Sequence, residues 1–506
     1  MTVEDVRAAD STAEDVRAED VRAVDVRVED VRAVDVRVED VRAADIRAAD
    51  VRVEDSRYEA VSSRDARFDG VFFFAVSTTG IYCRPSCPAV TPKRRNVSFY
   101  RTAAAAQGAG YRACRRCRPD AVPGSAEWNV RADVVGRAMR LIGDGVVDRE
   151  GVSGLAARLG YSARQLQRQL NAELGAGPIA LARAQRSHTA RILLQTTTLQ
   201  AAEIAFASGF ASVRQFNDTI REIYAATPSE LRSSRGRHAA PHDGAAGVPL
   251  RLAYRGPYER AAMFDRLAAD ALPGVEEVTG APGARTYRRT LALPAGPAVA
   301  EAHERSGGGD WLDCRLHLTD LRDLTTATQR MRRLLDLDAD PLAVAERLGA
   351  DPLLAPLVAA RPGLRVPGTA DPHETALRIA AGPYAAELVA AYGEELPAPR
   401  TGPARLFPRA ARLADAGPPA VRALAAALAS GDIRLDPGVD RGDTERRLAA
   451  LPGIGPVKAA RIRRRALGDP DVLLPDDPAV PPSAAPEHWR PWRSYAAAHL
   501  ALRSGR

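Results

Sequence analysis

Four of the chain's five cysteines fall in two close pairs, and this spacing constrains the fold more than any other feature. Cys83 and Cys87 are separated by three residues, and Cys114 and Cys117 by two. Two chelating pairs joined by a longer intervening segment are typical of a tetrahedral site in which four thiolates hold Zn²⁺. The sequence therefore predicts a small zinc module at residues 57–121. A purely structural zinc site is the alternative.

The length and composition exclude several classes of protein. A chain of 506 residues exceeds one typical hydrophobic core, so several domains are expected. It contains no apolar run long enough to span a bilayer, and no signal peptide opens it, so we expect a cytoplasmic protein without a membrane partner. Five cysteines do not make a secreted disulfide framework. The cysteine outside the two pairs, Cys314, is predicted to be a core residue.

The charge is unevenly distributed along the chain. The first 55 residues contain 9 arginines and 17 acidic residues, so they carry −8 and leave +15 on the rest. They repeat a five-residue unit, visible as Glu-Asp-Val-Arg at residues 4–7 and 19–22. This low complexity predicts a disordered or weakly helical arm over residues 1–56, although a mis-assigned start codon would look the same. The basic remainder favours a polyanionic partner.

Residues 128–234 are predicted to form an all-α block with two helix-turn-helix units. In the first, an apolar helix ends at Gly160, and Ser162 with Gln165 forms a capping box for the next helix. The arrangement recurs with a capping box at Ser212. Residues expected near the exposed starts of the two recognition helices are Arg164, Gln165, Arg168, Arg214, Gln215 and Asn217. Arginine and glutamine suit guanine and adenine edges, but which of these residues touch bases rather than phosphates is left open.

A single helix-turn-helix pattern is imitated by any helical hairpin with a glycine turn, whereas two copies favour DNA binding.

The carboxy-terminal half divides into an α+β domain at residues 248–366 and an α-rich domain at residues 367–506. In the second, a helix-hairpin-helix is predicted at Leu-Pro-Gly-Ile-Gly-Pro, residues 451–456. Gly453 and Gly455 would let the backbone approach DNA, and Lys458 would supply positive charge beside the hairpin. A tight helical turn without function is the alternative.

The cysteine segment resembles the amino-terminal domain of the Ada family of alkylation-response proteins. The resemblance rests on Thr-Thr-Gly-Ile-Tyr-Cys-Arg-Pro-Ser-Cys at residues 78–87 and Cys-Arg-Arg-Cys-Arg-Pro-Asp at residues 114–120. It implies that Cys83 is both a zinc ligand and the acceptor of a methyl group from DNA methyl-phosphotriesters, once per molecule. Zinc ligation would keep the sulfur a thiolate, which is the nucleophilic form. The helical block resembles the AraC-type DNA-binding domain, which also follows the cysteine module in Ada.

The carboxy-terminal half resembles the AlkA-type 3-methyladenine DNA glycosylases. Besides the hairpin, the similarity rests on residues 360–368, on Leu-Pro-Asp-Asp at residues 474–477 and on residues 489–496. It implies that Asp477 is the catalytic carboxylate, which would stabilise positive charge on the deoxyribose as the alkylated base departs. From the residues alone, a helix cap or a loop acid is the alternative for Asp477. Fusions of Ada and AlkA modules match the whole order of segments.

Three departures from the glycosylase pattern put its activity in doubt. After Gly382 the chain passes directly to Pro383, and the helix start that would carry a residue wedged into the base stack is missing. Val457 and Arg461 replace the aromatic residues expected after the hairpin. Prolines also interrupt the helix expected after Asp477; they are Pro478, Pro481 and Pro482.

Bifunctional relatives have a hairpin lysine that forms a Schiff base with the sugar. Val457 stands at that position here, which predicts a monofunctional glycosylase without a lyase step. The separate alkylguanine transferase domain of Ada, with its Pro-Cys-His-Arg motif, is not found in the sequence.

Together these observations predict a multidomain α+β protein. Its parts are a Cys₄ zinc module, an all-α double helix-turn-helix domain, an α+β domain like the AlkA amino-terminal domain and an all-α helix-hairpin-helix glycosylase domain. The expected function is alkylation-dependent transcriptional regulation combined with excision of alkylated bases. Expected partners are Zn²⁺ and double-stranded DNA, both operator and alkylated, with RNA polymerase as a further candidate. The alternatives are a regulator with an inactive glycosylase half and a zinc-stabilised DNA-binding protein without methyl transfer.

Overall fold

The computed structural model describes residues 53–121, 133–233, 247–304, 309–396 and 402–503. Nearly all of the predicted arm and most of the linker residues at 123–125 and 233–247 lie outside these ranges. The packing described below concerns residues 58–506, which form one compact unit. Within the described ranges, no helix combines the length and apolar character that a membrane span requires.

The zinc module is a small four-stranded sheet with one helix. After helix α1 at residues 53–62, its elements are β1 (Phe73–Val76), β2 (Ile81–Cys83), β3 (Val97–Tyr100), α2 (Ala103–Gly108) and β4 (Arg112–Ala113). The strand order is β3-β1-β2-β4. β1 pairs antiparallel with β2 and β3, whereas β4 pairs in parallel with β2. The side chain of Thr102 caps the start of α2 by accepting from the backbone N–H of Ala105.

The next block is helical, as predicted. It contains α3 (Val134–Gly143), α4 (Val146–Leu159), α5 (Ala163–Leu174), α6 (Pro178–Thr196), α7 (Ala201–Ala207), α8 (Val213–Tyr224) and α9 (Pro228–Ser233). α4 is broken at Gly151 and ends at Gly160, whose φ of 77° is left-handed. The predicted capping box at Ser162 is reciprocal. At Ser212 only half of the box forms, because the Gln215 side chain accepts from the N–H of Ala211 instead.

A five-stranded antiparallel sheet forms the centre of the α+β region. Its strands are β5 (Val248–Ala253), β6 (Glu276–Thr279), β7 (Thr286–Leu293), β8 (Gly296–His303) and β9 (Trp311–Leu318), in the order β5-β9-β8-β7-β6. α10 (Arg260–Ala269) lies between β5 and β6, and α11 (Leu324–Leu334) follows β9. Alternate residues of β9 are buried, including Cys314, so the prediction of a core cysteine is confirmed.

The remaining chain is mainly helical. Its helices are α12 (Pro341–Gly349), α13 (Ala355–Ala360), α14 (Pro372–Ala381), α15 (Ala385–Tyr392), α16 (Ala410–Leu413), α17 (Pro419–Ser430), α18 (Arg441–Ala449), α19 (Gly455–Arg465) and α20 (Arg493–Arg503). A two-residue ribbon joins β10 (Glu394–Glu395) to β11 (Arg405–Leu406). No regular helix runs from residue 466 to 485, as the prolines in this stretch predict.

The modules share hydrophobic cores instead of standing apart. Tyr82 of the zinc module belongs to the same buried cluster as Phe216 of α8 and Leu316 of β9. In a second cluster, Leu348 of α12 packs with Trp489 near the carboxy terminus. Residues on α12 and α13, assigned by sequence to the α+β domain, therefore pack against the last helix of the chain.

Candidate metal centre and nucleic-acid interface

The sheet of the zinc module brings the two cysteine pairs together. Cys83 is the last residue of β2, and the parallel register pairs Tyr82 with Ala113 of β4. Cys114 follows β4 directly, and its N–H donates to the carbonyl of Tyr82 at 3.0 Å. The second member of each pair then lies one tight turn further along the chain. The residues predicted as ligands therefore meet because of the strand register.

The four sulfur atoms fit a single metal ion. The Sγ atoms of Cys83, Cys87, Cys114 and Cys117 all lie within 4.8 Å of one another, and all four residues are buried. A Zn–S bond of about 2.3 Å places the sulfurs of a tetrahedral site about 3.8 Å apart. Four thiolates with no oxygen ligand suit Zn²⁺. The placement therefore agrees with the predicted Cys₄ zinc site.

Asp69 organises the turn between Cys83 and Cys87, and sequence reasoning missed it. Its carboxylate accepts from the N–H of Ser86 at 3.0 Å, from the Ser86 hydroxyl at 2.6 Å and from Nη1 of Arg84 at 2.9 Å. Burial raises the pKa of this carboxyl, opposed by the hydrogen bonds from Ser86. An isolated acid fourteen residues before the first cysteine carries no periodicity or spacing that would identify it.

The zinc module contacts the end of both recognition helices. The hydroxyl of Thr102 donates to the carbonyl of Leu174, the last residue of α5, at 3.2 Å. Nη2 of Arg115 donates to the carbonyl of Ala225, which terminates α8, at 2.6 Å. Both helix ends leave carbonyls without an intrahelical partner, and these donors satisfy one at each end. A change in the conformation of the zinc module would therefore act directly on the ends of both helices through these hydrogen bonds.

A buried ion pair holds the same two modules together. Asp120 accepts from Nη1 of Arg191 at 2.8 Å and from the hydroxyl of Tyr224 at 2.9 Å. Although burial opposes ionisation, the positive charge of Arg191 keeps the pKa of Asp120 below its usual range. Asp120 is the last residue of the Cys-Arg-Arg-Cys-Arg-Pro-Asp motif, so this motif also serves the contact with the helical block.

The predicted DNA-contact residues of the helical block are largely accessible. Arg164, Gln165 and Arg168 on α5 are exposed, as are Arg214 and Gln215 on α8, whereas Asn217 is half-buried. The two glutamines have a structural task. Gln165 accepts from the N–H of Ser162 at 3.1 Å, and Gln215 accepts from the N–H of Ala211 at 3.3 Å. Their side-chain NH₂ groups are therefore available to a base or phosphate, and the Gln215 oxygen keeps a second acceptor site.

The predicted hairpin forms between α18 and α19. Gly453 has φ 77°, and a Cβ there would lie 3.0 Å from Cβ and 3.3 Å from Cα of Ala420. Gly455 has φ 61° with open space around it. Both positions favour glycine. Lys458 folds back onto the hairpin, because Nζ donates to the carbonyl of Gly453 at 3.1 Å and to that of Ala380 at 3.3 Å.

Asp477 lies in the loop that follows α19. Its Oδ1 accepts from the N–H of Ala479 at 3.1 Å, and its own carbonyl accepts from Val480. Its Oδ2 accepts no hydrogen bond from any residue that the structure describes. The negative charge of Asp477 acts on Arg464 near the end of α19. One carboxylate oxygen therefore caps the turn, and the other is available.

The stretch in which the wedge segment is missing has a distinct local structure. Gly382–Tyr384 form a single 3₁₀ turn between α14 and α15, and Gly382 has φ 59°. The side chain of Tyr384 is 51% exposed, and Val457 beside the hairpin is 40% exposed. Two largely apolar side chains therefore face solvent, one after the end of α14 and one at the start of α19. From the sequence we expected only the loss of the wedge segment and of the aromatic residues here.

Comparison with known proteins identifies the modules. The family model for the metal binding domain of Ada matches residues 56–120, that for a helix-turn-helix domain matches 155–234, and that for the AlkA N-terminal domain matches 249–371. A probable bifunctional transcriptional activator/DNA repair enzyme AlkA of Mycobacterium tuberculosis is 49% identical over 465 residues, covering 85% of this chain and 92% of the relative. The chain belongs to this bifunctional AlkA family.

Two further relatives each match part of the chain. DNA-3-methyladenine glycosylase 2 of Escherichia coli is 31% identical over 286 residues, covering 49% of this chain and 95% of the relative. The bifunctional transcriptional activator/DNA repair enzyme Ada of Escherichia coli is 34% identical over 154 residues, covering 30% of this chain and 42% of the relative. The predicted fold class and zinc site are confirmed, whereas the exact domain boundaries and the site residues stay predictions.

Proposed function

We propose that the chain is a DNA-alkylation response protein that senses methyl-phosphotriesters through Cys83, regulates transcription through its helix-turn-helix domain and excises alkylated bases through Asp477. The cluster of four cysteine sulfurs within 4.8 Å is the observation that carries the first part. Membership of the AlkA family supports the combination. Contact with RNA polymerase and a cytoplasmic location stay predictions.

Methyl transfer to Cys83 is a simple displacement. The sulfur attacks the methyl carbon of the triester, the S–C bond forms, the C–O bond breaks, and the phosphate oxygen keeps the electron pair as a diester anion. Bound Zn²⁺ would hold the sulfur as a thiolate near neutral pH. Asp69, through Ser86 and Arg84, fixes the turn that follows Cys83. The reaction removes one negative charge from the cluster, which lowers its repulsion from DNA phosphate.

Exposed basic residues around the cluster support an approach to DNA phosphates. They are Lys93, Arg95, Arg115, Arg116 and Arg118. Arg115 also holds the end of recognition helix α8. Helix α6, which separates the two units, has 19 residues and spans about 28 Å, close to the ~34 Å between successive major-groove faces. From this length we infer that the two recognition helices would meet successive grooves on one side of the DNA.

Base excision would use the available oxygen of Asp477 and the hairpin. An ionised carboxylate stabilises the positive charge that develops on the sugar when the bond to the base breaks. The free N–H groups at the start of α19, beside Gly455, suit a backbone phosphate. No lysine occupies position 457, so the proposed glycosylase has no lyase step.

Two observations favour a second candidate, a regulator whose glycosylase half is inactive. Oδ1 of Asp477 caps its own turn, which is the arrangement expected of a loop acid. The single 3₁₀ turn at Gly382–Tyr384 also leaves no room for a longer wedge segment. The measurement that separates the two candidates is the release of free base from alkylated DNA.

Methyl transfer is tested with duplex DNA that carries isotopically labelled methyl-phosphotriesters. We expect peptide mass spectrometry to find the label on Cys83 and on no other cysteine. Cys83→Ser should take up no label, whereas Cys314→Ser, a change at a buried cysteine outside the cluster, should react as the natural protein does. A zinc-loaded protein that binds DNA but takes up no label would leave only a zinc-stabilised DNA-binding protein.

A further inference from the structure

The exposed face of α19 carries an arginine whose donors are free. Val457 and Arg461 are both exposed and lie four residues apart, so they share one face of the helix, just beyond the hairpin. Arg464 is half-buried and lies three residues after Arg461, which makes the two arginines neighbours on the helix surface. An apolar side chain and two guanidiniums therefore succeed one another along this side of α19.

These two arginines differ from the others on α19 in their contacts. Nε and Nη1 of Arg463 each donate to a carboxylate at 2.7 Å. Nη1 of Arg465 donates to Asp270 at 2.9 Å. Within the part of the chain that the structure describes, Arg461 and Arg464 make no hydrogen bond and no ion pair. The N–H donors of Arg461, which is the exposed member of the two, are therefore available to a ligand.

The same face of α19 lies within electrostatic range of Asp477. Burial lowers the pKa of Arg464 to about 10; Arg465 and Arg461 add to the lowering, whereas the negative charge of Asp477 opposes it. Arg464 thus has Arg461 on one side along the helix and the Asp477 carboxylate as an opposing charge. One carboxylate and two guanidiniums sum to one positive charge. A base held beside Asp477 would meet this positive environment.

A guanidinium distinguishes purines by charge and by their acceptor atoms. Its two parallel N–H donors fit the O6 and N7 acceptors of a guanine-type edge. Hypoxanthine is neutral and presents both acceptors. In 7-methylguanine the N7 atom carries the methyl group and the base is cationic, so one acceptor is lost and the arginine repels what remains.

We propose that Arg461 is a specificity-determining residue that favours neutral purines with free O6 and N7 acceptors over cationic alkylated purines. The proposal rests on the proposed base excision through Asp477. When the C1′–N9 bond breaks, the base keeps the electron pair, the oxygen of water bonds to C1′, and the proton that this water releases balances the one that the base takes up.

The two classes of base develop different charges during this step. A neutral base departs with developing negative charge, which a guanidinium stabilises in the transition state. A cationic base departs as a neutral molecule and gains nothing from the guanidinium. Cationic bases are still released, because their positive charge already makes them good leaving groups, but the arginine reduces their advantage.

The test measures single-turnover release of hypoxanthine and of 7-methylguanine by the zinc-loaded full chain, from duplexes of one sequence at slightly acidic pH, which keeps 7-methylguanine cationic. The ratio of the two rates is compared for the natural protein, Arg461→Gln and Arg446→Gln. Arg446 lies on α18 with its side chain 79% exposed, so its variant controls for the loss of one positive charge on the other helix of the hairpin. We expect the ratio of hypoxanthine to 7-methylguanine release to fall about tenfold in Arg461→Gln and to stay unchanged in Arg446→Gln. Arg461→Lys, which keeps the charge but not the paired donors, should give an intermediate ratio.

A second measurement does not depend on excision. Fluorine at the 2′ position of the sugar keeps the bond to the base from breaking, so equilibrium binding of the same two lesions can be compared. The natural protein and Arg446→Gln should bind the hypoxanthine duplex more tightly than the 7-methylguanine duplex, and Arg461→Gln should lose this preference.

The proposal is overturned if Arg461→Gln has the same preference as the natural protein. It is also overturned if this variant weakens binding of both duplexes equally, which is the result expected of a phosphate contact. Absence of release of either base by the natural protein would instead contradict the proposed excision, and the binding preference would still decide the role of Arg461.

Discussion

Nη2 of Arg255 donates to the backbone carbonyl of Asp69 at 2.8 Å, across 186 positions of sequence. Arg255 follows β5 of the α+β region, and the Asp69 carboxylate holds the turn between the first two zinc ligands. The turn between the first two zinc ligands and the α+β region are therefore joined by one buried residue. The proposed methylation at Cys83 would act on a turn that already has this connection.

Asp69→Asn should loosen the zinc module. The change removes the charge from three hydrogen bonds, two to Ser86 and one to Arg84. Charge-assisted hydrogen bonds contribute about 1.5–3 kcal/mol, so zinc release should begin at clearly lower urea concentration. A colorimetric zinc reporter during urea titration measures this. Asp65→Asn weakens the pair with the exposed Arg67 but keeps the oxygen that caps the turn at Ala66–Phe68, so it should change little; equal behaviour of the two variants would contradict the role of Asp69.

Gly453→Ala should damage the hairpin. Its left-handed φ costs an alanine about 1–2 kcal/mol, and the new Cβ would press on the backbone of Ala420. We expect lower stability and weaker binding to duplex DNA. Gly442→Ala lies within α18, where a Cβ meets only Oδ1 of Asp440 at 3.6 Å. That control should be neutral or stabilising. A Gly453→Ala protein as stable as Gly442→Ala would refute the strained hairpin.

Asp336→Asn should change how stability depends on pH. Burial raises the pKa of Asp336 to about 6, although Arg365 and the Tyr495 hydroxyl oppose the rise. The unfolded chain ionises near pH 4. The stabilising effect of the protonated group is therefore complete below pH ~4 and is lost as pH rises to about 6. Asp336 has φ 53°, which asparagine also adopts readily.

The natural protein should lose on the order of 2 kcal/mol relative to Asp336→Asn across this window. Urea unfolding followed by tryptophan fluorescence at several pH values gives the difference, and zinc loss at acid pH affects both proteins alike. A difference that does not change with pH would mean that Asp336 titrates normally.

Arg214→Ala should weaken DNA binding. Arg214 lies at the start of α8 with its side chain 94% exposed, paired only loosely with Asp218 at 3.9 Å. Loss of one arginine contact costs about 1–3 kcal/mol, so affinity should fall about tenfold for duplexes selected from a random pool. Arg422→Ala, an exposed arginine on α17, is the matched control. If Arg214→Ala binds these duplexes as tightly as Arg422→Ala does, Arg214 does not contact DNA.

Local signals in the sequence predicted much of this architecture. Cysteine spacing predicted the metal site, and glycine and serine positions predicted both helix-turn-helix units, because these features depend on neighbouring residues. The second capping box at Ser212 formed only by half, because the Gln215 side chain finds the N–H of Ala211 instead. Capping patterns therefore predict where a helix begins better than they predict each hydrogen bond.

Contacts between distant segments could not be predicted from the sequence. Asp69 and Arg255 carry no periodicity that relates them, and each alone resembles an ordinary surface charge. The packing of Leu348 against Trp489 likewise depends on how the domains associate. For Asp477, the sequence indicated the residue only by resemblance. The structure adds that Oδ1 of its carboxylate accepts a hydrogen bond, whereas Oδ2 accepts none from the described residues.

Release of free base from alkylated duplex DNA tests the central claim most directly. Asp477→Asn is compared with Asp476→Asn, whose φ of 53° asparagine tolerates, so the two variants change adjacent acids by one charge each. We predict that the natural protein and Asp476→Asn release 3-methyladenine, and that Asp477→Asn loses this activity while still binding DNA. Absence of release by zinc-loaded, DNA-binding natural protein, or full release by Asp477→Asn, would contradict the proposed glycosylase.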